Sequence, residues 1–236
     1  MKIDLSQYAR DRLREREQKV VKYPGPVITI SREFGCPSKP ISRKLVHTIN
    51  RITGKDNWDW ISKEIMEKSA KELNVKPEEI KYVFEYEEKG IFDEILAAQS
   101  KKYHRSDRKI RKSIANVIRA IAYDGNVVII GRGGVAIARD CPNAFHVKLM
   151  APLEWRVKGV ISRRENMTYD EGVKLTLDFD RKRKKFLDYY WGGESDHSIF
   201  DAIYNCSTMS DEEIVESIIL ILKKRNLIKV VKPTGL

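Results

Sequence analysis

The stretch Val27-Ile28-Thr29-Ile30-Ser31-Arg32-Glu33-Phe34-Gly35-Cys36-Pro37-Ser38-Lys39-Pro40-Ile41 decides the fold. Its first four residues are apolar or β-branched and follow the turn-forming run Tyr23-Pro24-Gly25-Pro26, so they read as a buried strand. Beyond Pro40, the residues Ile41, Leu45, Val46 and Ile49 fall on one helical face, and Gly54 stands just past its end. A strand, a glycine-bearing loop and a helix in that order present the N–H groups of a helix start to an anion.

The same grammar recurs downstream. Val127 to Ile130 reads as a second buried strand ending in Gly131-Arg132-Gly133-Gly134, and Phe145 to Met150 as a third. Pro152 opens a helix with Leu153, Val157, Val160 and Ile161 on one face, and Tyr169 to Tyr190 is a strongly basic helical stretch. Phe200 to Cys206 reads as a fourth strand, and Ser210-Asp211-Glu212-Glu213 caps a final helix running to Leu222. Between the first two strands, Trp58 to Tyr123 reads as helical throughout. Its stripes are Ile61, Ile65, Met66 and Leu73, then Ile110, Ile114, Val117, Ile118 and Ile121, with Pro77 at a helix start. Leu5 to Val20 reads as a polar helix ahead of the fold. Buried strands separated by helices predict a parallel sheet covered on both faces, with ligands at the carboxyl ends of its strands. The loops after Ile30 and Ile130 are therefore the candidate site.

With 42% hydrophobic residues in 236, the chain can build one full-sized core. A net charge of +11 suits an anionic partner or a solvated basic surface. The cluster Lys101, Lys102, Arg105, Arg108, Lys109, Arg111 and Lys112 would suit nucleic-acid phosphates, yet no base-reading motif or aromatic sheet face accompanies it. Gly131 to Ala136 also fits a dinucleotide fingerprint, but the segment to Ala144 contains Pro142 and is short for a crossover helix. Cys36, Cys141 and Cys206 are odd in number and lack metal-ligand spacing, so neither a disulfide framework nor a metal site is expected. No apolar run approaches a membrane span, and Met1 to Lys22 lacks the apolar stretch of a secretory signal, so a cytoplasmic location is expected.

Three strings carry a resemblance: Ser31-Arg32-Glu33-Phe34-Gly35 after a strand, Ile129-Ile130-Gly131-Arg132-Gly133-Gly134, and Asp180-Arg181-Lys182-Arg183 in the basic helix beyond Ala151-Pro152. In this order they resemble the cytidylate kinase-like family, relatives of the nucleoside monophosphate kinases, over Val27 to Leu222. The resemblance implies an α/β, three-layer, P-loop kinase-like parallel sheet with a helical acceptor-binding insertion (57–123) and a basic lid (162–190). These lie in a domain spanning 23–228, between a polar helical extension (1–22) and a tail (229–236). The implied reaction moves a phosphoryl group from ATP, with Mg, to a nucleoside monophosphate or a similar small phosphorylated acceptor. The implied catalytic residues are Arg132, Asp180, Arg181 and Arg183, with Arg163 and Arg164 as further lid residues. The implied donor contacts are Arg32, Gly35, Cys36, Ser38 and Lys39. The chemistry suits these residues, since phosphoryl transfer asks for positioning and positive charge rather than covalent help. Arg132 at a strand end could grip a phosphate bidentately. Arg156 reads as a structural partner for an acid, Lys182, Lys184 and Lys185 as solvated charge, and Asp59 as a family acidic position or a helix N-cap.

The loop departs from the family pattern. Members usually carry Gly-Ser-Gly-Gly-Arg-Glu, where this chain has Gly35-Cys36-Pro37-Ser38-Lys39-Pro40. Each proline removes an N–H donor. Pro40 suits a first helical turn, whereas Pro37 subtracts from a phosphate nest. Ser38 is expected to cap the helix and Lys39 to supply a point charge. Gly133 stands where cytidylate kinases carry an aspartate, so cytidine specificity is not implied. Two readings stay open: a weak phosphotransferase, and a catalytically degenerate kinase fold acting as a nucleotide-binding or interaction module.

Overall fold

The strand β1 (Val27–Arg32) occupies the centre of a five-stranded sheet, which is why Val27, Ile28 and Ile30 are wholly buried. The computed structural model describes residues 25–62 and 101–231; the side chains of 101–110, 113 and 114 fall outside that description. The strand order is β2-β3-β1-β4-β5, formed by β2 (Asp59–Ile61), β3 (Val127–Ile130), β4 (Ala144–Met150) and β5 (Ala202–Asn205). Every pairing is parallel. Parallel strands buried on both faces explain the near-continuous apolar runs of β1 and β3.

Helices cover both faces. On one, α1 (Ser38–Thr53) contributes Ile41, Leu45, Val46 and Ile49, as its spacing predicts, and ends on the left-handed Gly54. These pack with Phe145, Val147 and Leu149 of β4 and with Ile214 and Ile218 of a C-terminal helix. On the other, α2 (Lys101–Asp124) sets Ala115, Ile118 and Ala122 against Val127 and Ile129, beside the short α3 (Gly134–Ile137). The helix α4 (Leu153–Ile161) follows β4, and α5 (Tyr169–Trp191) packs on it. Thr168 and Glu171 form a capping box that starts α5. Ser210 and Glu213 do the same for the C-terminal helix, α6 (Asp211–Lys224).

The structure corrects three expectations. Trp58 to Tyr123 is not helical throughout: Asp59–Ile61 is a strand, paired with Val127–Ile129. Three residues cannot display a period of two, and pairing to a neighbour far along the chain decided the matter. Asp59 is consequently no helix cap; its carboxylate accepts from the adjacent Trp60 N–H. The strand expected at Phe200 to Cys206 is the fifth rather than the fourth, and it is shorter, because Phe200 instead closes a 3-10 turn at His197–Ile199. The expected helix at Leu5 to Val20, the Ile65, Met66 and Leu73 stripe and the Pro77 helix start lie outside the described residues.

The turn between α2 and β3 is tight. Gly125 sits at φ 73°, and a Cβ there would collide with the Gly25 backbone. Gly125→Ala is expected to cost about 3 kcal/mol, from left-handed strain plus displacement of backbone. Chemical denaturation of the variant beside the parent protein measures it.

Candidate active site at the strand tips

The tips of β1 and β3 meet because the strands are neighbours, with Gly131 N–H donating to Ile30 O at 2.9 Å. Three successive residues then turn left-handed: Gly131 (φ 67°), Arg132 (φ 57°) and Gly133 (φ 65°). An arginine in that conformation is strained, and such strain tends to gather at functional sites. The turn drives Arg132 inward, leaving it 8% exposed. The two glycines are needed for space. The Arg32 guanidinium lies against the face of Gly131 where a Cβ would stand, and the Tyr190 ring lies 2.8 Å from the Cβ position of Gly133.

A cavity of about 290 Å³ results, walled by Ser31, Arg32, Glu33, Gly131 and Arg132 from the tips and by Asp180, Arg183 and Phe186 from α5. Gly133, Lys148 of β4, Lys184, Leu187, His197 and Phe200 complete the wall. Lys148 Nζ lies 3.0 Å from His197 Nε2 and 5.6 Å from the Phe200 ring centroid. Burial lowers the Lys148 pKa, partly offset by Glu33 and Asp180. Cationic side chains outnumber acidic ones on this wall, so an anionic ligand fits it.

The loop after β1 is held by α4 and α5. Arg156, 6% exposed, donates through Nε to Ala151 O (2.9 Å) and through Nη1 to Phe34 O (3.1 Å). It also pairs with Asp180 at 2.6 Å and with Glu33 at 3.2 Å. Asp180 in turn accepts from Phe34 N–H at 2.7 Å, Arg183 donates to Arg32 O at 3.3 Å, and the rings of Phe34 and Phe179 stack at 4.4 Å. Gly35, at φ 98°, lies so close to Arg156 that a Cβ would stand 3.0 Å from that residue's own Cβ.

These contacts redefine several expected roles. Arg132 and Arg183 come together on the cavity wall with Arg32. Asp180 is there too, but its carboxylate is occupied by Arg156 and Phe34. Arg181 is directed elsewhere: two-thirds exposed, it pairs with Asp178 at 3.3 Å, because successive residues of a helix point about 100° apart. Arg163 reaches only the Gly35 carbonyl, at 3.5 Å, and Arg164 is exposed. Arg156 has the structural role its sequence position suggests. Gly35, Cys36, Ser38 and Lys39 do not line the cavity. Cys36 N–H donates to Glu33 O, and Ser38 N–H folds back onto Cys36 O at 2.9 Å across Pro37, whose φ of −82° and ψ of 59° describe an inverse γ-turn. Ser38 is therefore the buried first residue of α1 rather than its cap, and Pro37 holds the cap position without a side-chain bond. The Cys36 thiol packs beside Cys206, and that hydrogen bond together with burial raises its pKa, so it stays protonated. Loop amides that a phosphate nest would use are bonded within the protein: Phe34, Cys36 and Ser38, with Pro37 contributing none.

A model of the cytidylate kinase-like family matches residues 27–208. The chain belongs to that family. Cytidylate kinase of Sulfolobus acidocaldarius is 28% identical over 128 residues, covering 53% of this chain and 69% of that protein. Cytidylate kinase of Methanosarcina barkeri is 23% identical over 122 residues, covering 51% and 66% respectively. The crystal structure of an uncharacterized protein from Eubacterium ventriosum superposes with a TM-score of 0.60 at 21% identity, over 85% of this chain and 99% of that one. The observed sheet is a five-stranded parallel one with helices on both faces, the α/β layering expected from the sequence.

Lys148, His197, Phe186 and Phe200 are wall residues that the motif reading passed over, and Lys184 was placed in the solvated run. For Lys148 a signal existed: in Phe145-His146-Val147-Lys148-Leu149, strict alternation places His146 and Lys148 on one face of a buried strand. Arg156→Met should remove a buried ion-pair hub and cost about 3–5 kcal/mol in chemical denaturation. Arg181→Ala, at an exposed pair, should cost under about 1 kcal/mol.

Proposed function

We propose that the protein binds a small phosphorylated compound, a nucleotide first of all, in the cavity at the tips of β1 and β3. The convergence of Arg32, Arg132 and Arg183 on one half-enclosed space supports this reading. Arginine forks match phosphate oxygens bidentately, and a partly dehydrated wall strengthens each contact. The family implies a reaction in which ATP, with Mg, donates a phosphoryl group to a nucleoside monophosphate or similar small acceptor. On this chain's side, Arg132 and Arg183 would hold and orient the acceptor phosphate, while Phe186 and Leu187 of α5 would limit water.

The donor side fits less well. The amides of Phe34, Cys36 and Ser38 already have acceptors, so the loop as folded is not a nest for a triphosphate, and no step is derived through one. That observation favours a second reading: a kinase fold retained for nucleotide binding or interaction, with little or no turnover. The protein is therefore expected to bind nucleoside monophosphates and to consume ATP slowly at best. Among the described residues no helix is long and apolar enough to cross a membrane.

Calorimetric titration with a panel of nucleoside monophosphates, alongside ATP consumption in the presence of Mg, tests both readings. Arg132→Ala should weaken binding of the phosphorylated compounds at least about tenfold, the range expected for losing hydrogen bonds to a charged group, and leave the fold intact by circular dichroism. Binding unaffected by this change would remove the cavity as the site. Rapid turnover would show that the loop reopens in the presence of a donor.

A further inference from the structure

Apart from the arginines, the cavity wall holds an ammonium, that of Lys148, with no carboxylate at contact among the described residues. The register Ser31↔Lys148 puts Lys148 beside the β1 tip, on the sheet face below α5. Its directed contacts are a histidine nitrogen, His197 Nε2 at 3.0 Å, and the face of the Phe200 ring. The two acids whose charge it feels, Glu33 and Asp180, are both bonded to Arg156. Among the described residues Lys148 forms no ion pair. A half-buried cation whose neighbouring acids are already shared is under-neutralised, and an arriving anion would relieve that cost.

The histidine contact has a direction. An ammonium has only donors, so Lys148 donates and His197 accepts through Nε2. Asp196 fixes the 3-10 turn that carries His197, since its side chain accepts from Ser198 N–H at 2.7 Å. One donor of the ammonium is thus spent on His197, and Lys148 itself lines the cavity.

We propose that Lys148, oriented by His197, is a further phosphate-binding group of this cavity and meets an anionic oxygen of the ligand alongside Arg132 and Arg183. The proposal rests on the reading that the cavity takes a phosphorylated compound, and it narrows the acceptor's class. Cations supplied independently by β3, β4 and α5 suit a dianionic phosphate monoester better than an uncharged alcohol.

The test is calorimetric titration of the full chain with CMP, UMP, AMP and GMP, each beside its nucleoside, and with inorganic phosphate. Lys148→Met should weaken binding of whichever monophosphates the parent binds at least about tenfold while leaving the nucleosides unchanged. Lys148→Arg, which keeps the charge, should stay within about threefold of the parent. His197→Ala should fall between these, and the ¹⁵N resonances of His197 should report Nε2 as a hydrogen-bond acceptor, a signature lost in Lys148→Met. Lys148→Gln replaces Lys148→Met if the latter does not fold. Three outcomes overturn the role of Lys148: monophosphate binding unchanged in Lys148→Met, equal losses for nucleosides and monophosphates, or no rescue by arginine. If Arg132→Ala alone weakens binding, only this inference falls. If neither variant does, or the parent binds no monophosphate, the reading of the cavity falls with it.

Discussion

One buried guanidinium holds the functional end of the molecule together. Arg156 leaves α4 and reaches the end of β4 through Ala151 O, the loop after β1 through Glu33 and Phe34 O, and α5 through Asp180. Few side chains other than arginine can do this, because the task needs several donors in a fixed planar fork and a charge that burial cannot remove. Each partner depends on the others: without Arg156, Glu33 and Asp180 would be acids in a confined space, and the Phe34 carbonyl would lose its donor. The loop after β1, α4 and α5 therefore behave as one unit, with α5 resting on the loop.

That unit separates two parts of the candidate site. At the strand tips, the left-handed run at Gly131-Arg132-Gly133 turns an arginine inward, and Arg32 and Arg183 meet it. In the loop after β1, Pro37 folds the chain into a γ-turn that returns the Ser38 amide to the loop itself. An amide hydrogen bonded inside the protein must be released before it can serve a ligand, and that release opposes binding. Family membership thus explains the topology and the cationic cavity, while the loop chemistry belongs to this sequence.

Much of the architecture was readable in the chain. The runs at Val27, Val127 and Phe145 are apolar enough to require burial, and the heptad-like stripe from Ile41 to Ile49 has one helical face. Ser210 begins a helix because its hydroxyl and Glu213 three residues later complete each other's bonds. β2 was not readable, because three residues carry no periodicity and Asp59–Ile61 is a strand only by virtue of its neighbour. In the site, Arg132 stood out as a strand-end residue, whereas Arg181 and Arg183 looked alike. Which of them enters the cavity depends on the rotation of α5, and packing of Phe179 and Tyr190 sets that rotation.

The sequence by itself determined the alternation of buried strands and amphipathic helices, the parallel sheet that follows, and a loop poor in free amides because prolines lack the donor. These are local properties, fixed by side-chain shape, hydrophobic period and backbone chemistry within a few residues. Tertiary structure alone decided that Asp180 serves Arg156, that Lys148 meets His197, and that Cys36 turns toward Cys206 rather than a ligand. Those pairs join residues far apart in the chain, so only the packing of α5 and β5 onto the sheet brings them within bonding distance.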